Sequence, residues 1–121
     1  MDMQPEKLVF VYNAKSGKLQ GLLDLLHKNI SPRTYPCQLC AVTYTNSGML
    51  PEWKQFIESL GMPVEFLHKD EWLHYPGAIQ EPLPAAFAYY NGLAQVYIPD
   101  TEMRAVTDVQ ALMKLTQSKL I

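Results

Sequence analysis

The sequence predicts an α/β domain organised on a mixed sheet of about four strands. A continuous apolar run near the start, an Asn-Gly pair between two apolar segments, and apolar residues at helical spacing around them carry that expectation. The chain has 121 residues, enough for one buried core, and is read as a single domain spanning 1–121. Its apolar fraction of 48% against 18% charged residues excludes a disordered class. Ten Lys and Arg against twelve Asp and Glu leave a formal charge of −2, without the basic footprint of a nucleic-acid binder. No apolar run approaches the roughly 20 residues that span a bilayer, so no membrane partner is expected. The polar stretch Met1 to Lys7 has no signal-peptide core and leads to the expectation of a cytoplasmic protein.

Each element has its own reason. Lys7-Leu-Val-Phe-Val-Tyr12 is apolar without alternation, which suits a central strand covered on both faces. A polar turn, Asn13-Ala-Lys-Ser-Gly17, follows it. Leu19, Leu22, Leu23 and Leu26 then recur at helical spacing and predict a helix over Lys18 to Asn29, stopped before Pro32. Pro32 and Pro36 make the approach to the cysteines extended. Ala41-Val-Thr-Tyr44 fits a short strand or a short helical turn equally. Trp53, Phe56, Ile57 and Leu60, with Pro51 before them and Gly61 after, predict a helix over Pro51 to Leu60. Val64 to Leu67 reads as a short strand, and His68 to Gln80 as a loop anchored by a buried Trp72. Asn91-Gly92 tolerates positive φ at both turn positions and joins Pro84–Tyr90 to Leu93–Ile98 as a hairpin. That turn places Phe87 across from Val96 and Ala86 across from Tyr97. Thr107-Asp-Val-Gln110 fits a capping box for a closing helix over Asp108 to Lys119.

A strand-helix-strand unit followed by a proline, a hairpin and a terminal helix resembles the thioredoxin-like superfamily. The resemblance covers Lys7 to Asn29 and Val64 to Lys119, with 31–62 as an insertion. It implies a three-layer α/β/α arrangement with an inserted CxxC-helix segment. It also implies a cis Leu83-Pro84 bond facing the turn Asn13 to Gly17 across a shallow groove. The cysteines depart from the superfamily pattern: they lie beyond the first helix rather than in the turn before it. An extended run from Ser31 to Pro36 spans on the order of 20 Å, enough to carry them back toward Pro84. The pairs Val11-Tyr-Asn-Ala14 with Ser16-Gly17, and Tyr35-Pro-Cys37 with Leu39-Cys40, also resemble short bacterial proteins to which a GTPase activity has been attached.

The GTPase reading fails on chemistry. Aligning Gly17-Lys18 with a phosphate-binding loop puts Tyr12 at the first glycine and Leu19 at the magnesium-binding hydroxyl. Asn13, Lys15, Ser16, Gly17 and Lys18 retain a weaker capacity, that of holding an anion at a helix start. The plain alternative is a strand-to-helix turn with Ser16 as its cap.

Cys37-Gln-Leu-Cys40 admits three readings. The spacing closes a small disulfide ring through a nucleophilic thiolate. As half of a zinc site it needs two further ligands, from His27, His68, His74 or Asp70, and no second paired motif supplies them. As structural residues, both pack an insertion against the core. The function expected is thiol–disulfide exchange or redox sensing through Cys37 and Cys40. Its partner is a protein thiol or disulfide, Pro84 lines the groove, and neither cofactor nor metal enters. Cys37, in the N-terminal position, is the expected attacker. The alternative is a non-enzymatic ligand- or partner-binding module with structural or metal-binding cysteines.

Overall fold

The computed structural model of the chain describes residues 4–15, 37–45 and 48–120. The helix expected over Lys18 to Asn29 lies outside them. Strand β1, Lys7–Tyr12, is central: Leu8 to Val11 are fully buried. It pairs in parallel with β4, Val64–His68, and antiparallel with β5, Ala85–Tyr90. β5 in turn pairs antiparallel with β6, Leu93–Ile98, giving a mixed four-stranded sheet in the order β4-β1-β5-β6. A strand with neighbours on both sides and side chains buried on both faces has no reason to alternate, which explains its unbroken apolar run.

The two faces are covered differently. Leu8, Phe10 and Tyr12 share a core with Ala86, Ala88 and Ile98 on the face where most helices pack. These helices are α1, Gln38–Thr43, α2, Pro51–Ser59, α4, Asp100–Ala105, and α5, Val109–Ser118. They contribute Leu39, Trp53, Met103 and Leu112, all fully buried. Trp53 meets Phe10 edge-on at 5.4 Å between ring centroids, a favoured aromatic geometry. A two-stranded ribbon, β2, Tyr44–Thr45, with β3, Gly48–Met49, links α1 to α2. On the opposite face Val9, Val11, Ala85, Phe87 and Tyr89 close against Trp72 of α3, Lys69–Trp72. Trp72 stacks on Phe87 at 4.3 Å. No helix among the described residues is long and apolar enough to cross a membrane.

Four local expectations need correction. The segment His68 to Gln80 is not loop throughout, because Lys69–Trp72 is helical. Glu71 accepts the His68 N–H at 2.7 Å, satisfying a donor at the start of that turn. Ala86 pairs with Ile98 rather than Tyr97, through a bulge after the Phe87–Val96 pair. The extra residue brings Tyr97 and Ile98 against the same core, and the Tyr97 hydroxyl donates to the Thr116 carbonyl at 2.8 Å. The closing helix is capped by Asp108, not Thr107: its carboxylate accepts the Ala111 N–H at 2.8 Å. Finally, α4 follows Pro99 where no element was expected. For Ala41 to Tyr44 both alternatives hold in part, since α1 ends at Thr43 and β2 begins at Tyr44.

Candidate functional site

Cys37 opens α1 in an extended conformation, φ −116° and ψ 92°. Its sulfur stands where a capping oxygen usually does and accepts the Cys40 N–H at 3.2 Å. A second N–H reaches the same sulfur at 3.4 Å, from Asn13 just past the end of β1. Cys40 lies one helical turn on, its Cα 5.3 Å from that of Cys37, and the two sulfurs form a disulfide. The members differ in exposure. Cys37 is 0% exposed, whereas Cys40 sits at the edge of the core and is partly exposed.

The local sequence fixes this orientation. Leu39, Val42 and Thr43 form the inward stripe of α1, and Cys40 flanks it. The buried Thr43 hydroxyl donates to the Leu39 carbonyl at 2.6 Å. The Gln38 side-chain amide donates to the Val106 carbonyl at 2.6 Å, tying α1 to the end of α4. After the helix, the Leu50 N–H bonds to the Thr43 carbonyl at 2.8 Å. The cysteine helix is therefore tied at one end to the residue after α4 and at the other to the residue before α2.

Register places the site within the sheet. Val11 pairs with Ala85, so Pro84 arrives at the same end of β1 as Asn13 and Cys37. The Leu83-Pro84 bond is cis, as the resemblance led one to expect, and Pro84 is buried. A cavity of about 650 Å³ adjoins it, with Lys15 and Leu83 among its lining residues. Trp72, Leu73, Ala78 and Ile79 supply most of its apolar wall. Trp72, Ala78 and Leu83 belong to the second core, whereas Cys37 belongs to the first. The cavity and the disulfide thus share one end of the sheet but occupy opposite faces.

The predicted site residues divide accordingly. Cys37, Cys40 and the Asn13 backbone come together; Lys15 joins the cavity instead, and Pro84 lies beside it in sequence. Ser16, Gly17 and Lys18 lie outside the described residues, as does His27. Among the described residues no group of three His, Cys, Asp or Glu side chains gathers as a metal site. His68 faces Glu71, with Nδ1 to Oε1 at 2.9 Å, and that contact, after the His68 backbone bond, holds the Glu71 carboxyl below its usual range. Sequence reasoning did not find the Gln38–Val106 anchor or the cavity wall at Lys69, Trp72 and Ile79. No local pattern signalled the different exposure of the two cysteines, because the burial of Cys37 comes with its return to the end of β1.

Two further groups bound the chemistry. Tyr12 lies beneath the site, and burial raises its phenol further above the ordinary value of 10.0, so it keeps its proton at neutral pH and supplies no base. Lys7, at the far end of β1, bonds to Tyr75 and reaches Glu65 at 3.1 Å. Tyr75 donates to Glu65 at 2.7 Å, and this bond, then Lys7, holds the Glu65 carboxyl below its ordinary value. No protein family, curated protein or solved structure matches the chain.

Proposed function

We propose that the chain carries out thiol–disulfide exchange through Cys37 and Cys40, on a thioredoxin-like domain, with a protein or small-molecule thiol as partner. The observation that supports this reading is the asymmetric pair: one sulfur is buried on two N–H donors, and its bonded neighbour is partly exposed. Hydrogen-bond donors aimed at a sulfur favour its negative form, and thiolates are the attacking and departing species of exchange. The order of β1, β4, Pro84, the β5–β6 hairpin and α5, all built on one mixed sheet, supports the fold part of the reading.

The test is equilibration in glutathione buffers of graded ratio, with thiols counted after acid quench. A reversible two-electron transition at a potential above about −300 mV is expected, because structural disulfides lie below that value. A pair that stays oxidised throughout would make the cysteines structural. Zinc bound to the reduced chain would transfer the reading to a metal site.

The cavity favours a second reading, a module that binds an apolar ligand beside Lys15 and Leu83. Under that reading a fluorescent naphthalene sulfonate binds equally to the native chain and to a Cys37→Ser, Cys40→Ser variant, and Leu83→Glu abolishes binding in both.

A further inference from the structure

We infer that Cys40, and not Cys37, is the sulfur that meets the outside partner, and that Cys37 is the internal sulfur that leaves and returns. This rests on the exchange reading and gives it a direction. Position in the chain assigned the attack to Cys37. Burial assigns it to Cys40.

Exchange requires an incoming thiolate to approach along the line of the bond it breaks, so the attacked sulfur must be reachable from solvent. Cys37 is fully buried, in one core with Tyr12, Ala14, Leu39 and Val42. Its sulfur is within reach of the N–H just past β1 and of one in the first turn of α1. Attack at Cys37 needs that core to open. Attack at Cys40 does not, because that residue flanks the inward stripe and is partly exposed. The departing sulfur has the opposite requirement: it must carry the bonding electron pair as a thiolate. Cys37 Sγ already has the Asn13 and Cys40 N–H groups directed at it, at 3.4 and 3.2 Å. These donors strengthen as charge develops on the sulfur.

The step balances with a thiol as co-reactant. An external thiolate attacks Cys40 Sγ; the Cys37–Cys40 bond breaks, its electron pair leaves on Cys37 Sγ, and a mixed disulfide forms at Cys40. A second external thiolate attacks the outer sulfur of that mixed disulfide, releasing an external disulfide and the Cys40 thiolate, which takes a proton. One protein disulfide is reduced and two external thiols are oxidised. In reverse, the reduced chain takes up a substrate at Cys40, and Cys37 resolves it from within.

The experiment compares the two cysteines in the full chain. Reduced native protein is treated with limiting iodoacetamide near neutral pH, and the modified position is read by peptide mass spectrometry. Cys40 is expected to be modified at least tenfold faster than Cys37. In parallel, Cys37→Ser is expected to release thionitrobenzoate from the aromatic disulfide reagent at least tenfold faster than Cys40→Ser. Faster modification of Cys37, or equal rates, overturns the assignment. If either variant fails to fold, the native-chain alkylation decides alone. The two ideas fail separately: a native chain that equilibrates with glutathione but is modified first at Cys37 sinks only the direction, whereas one that never equilibrates sinks exchange itself.

Discussion

Reduction of the Cys37–Cys40 bond should lower the melting temperature by about 7 °C and leave the chain folded. The bond spans a sequence separation of 3, so the ring it closes holds four residues. For a ring this small, the chain entropy removed from the unfolded state is about 6 cal/mol/K, or about 2 kcal/mol at 25 °C. With 121 residues, the unfolding entropy near the midpoint is about 250 cal/mol/K, so each kcal/mol moves the midpoint by about 4 °C. The native state changes little on reduction, because Leu39, Val42, Thr43 and the Gln38–Val106 bond hold α1 independently. The assay is a circular-dichroism melt with and without a phosphine reductant, with Cys40→Ser as the control whose midpoint must not respond. An unchanged native midpoint would mean that the sulfurs are not bonded in solution. A fall of about 20 °C, equivalent to some 5 kcal/mol, would mean that the bond itself anchors α1 and that the packing argument is wrong.

Three other outcomes follow from the packing. Phe87→Ala removes a fully buried ring stacked on Trp72 and should cost about 3–5 kcal/mol in urea unfolding; a loss below about 1 kcal/mol would contradict a packed second face. Gly77→Ala should destabilise more than Gly61→Ala. Both positions have positive φ, +77° and +72°, but a Cβ at Gly77 meets the Gly92 carbonyl oxygen at 2.5 Å while Gly61 opens on empty space. Equal losses would refute the contact between the 73–84 segment and the hairpin turn. Glu65→Gln should flatten the acid limb of stability. The folded carboxyl sits below its ordinary 4.5, so its contribution is present above that value and is lost as pH falls through the lowered one. Because Glu65 is 41% exposed, screening limits the effect to a few tenths of a kcal/mol, read as a smaller fall in urea midpoint from pH 6 to about pH 3.

What was legible in the sequence was whatever local periodicity or turn chemistry dictates. The apolar run of β1, the stripe on α2 and the Asn91-Gly92 turn each carry their own signal, and each forms where expected; Asn91 has φ 52° and Gly92 has φ 77°. The failures are short or depend on partners. The helix α3 is one turn long with Trp72 as its buried residue, and α4 buries Met103 alone, so neither offers a period to detect. The bulge at Phe87 is a tertiary compromise: the turn sets the register near Tyr90, and the core then demands both Tyr97 and Ile98. For the site, spacing named the cysteines, but the helical wheel of α1 turns Cys37 away from the Leu39, Val42 and Thr43 stripe and so held no sign of its burial. What no local pattern held was the return of Cys37 to the end of β1, a contact between residues 24 apart.

That return explains why a cysteine suits this point in the fold. Asn13 lies past the last paired residue of β1. Cys40 is the third residue of α1, where no carbonyl within the helix is available to its N–H. Two backbone donors, one from the end of a strand and one from the start of a helix, converge on Cys37 Sγ. A disulfide sulfur accepts hydrogen bonds weakly and a thiolate accepts them strongly, so these two contacts should strengthen when the bond is broken. A serine there would cap the helix with a stronger acceptor but could not change its bonding. Under the proposed exchange reading, a cysteine at this point would couple the bonding of its partner, Cys40, to the hydrogen bonding at the end of β1.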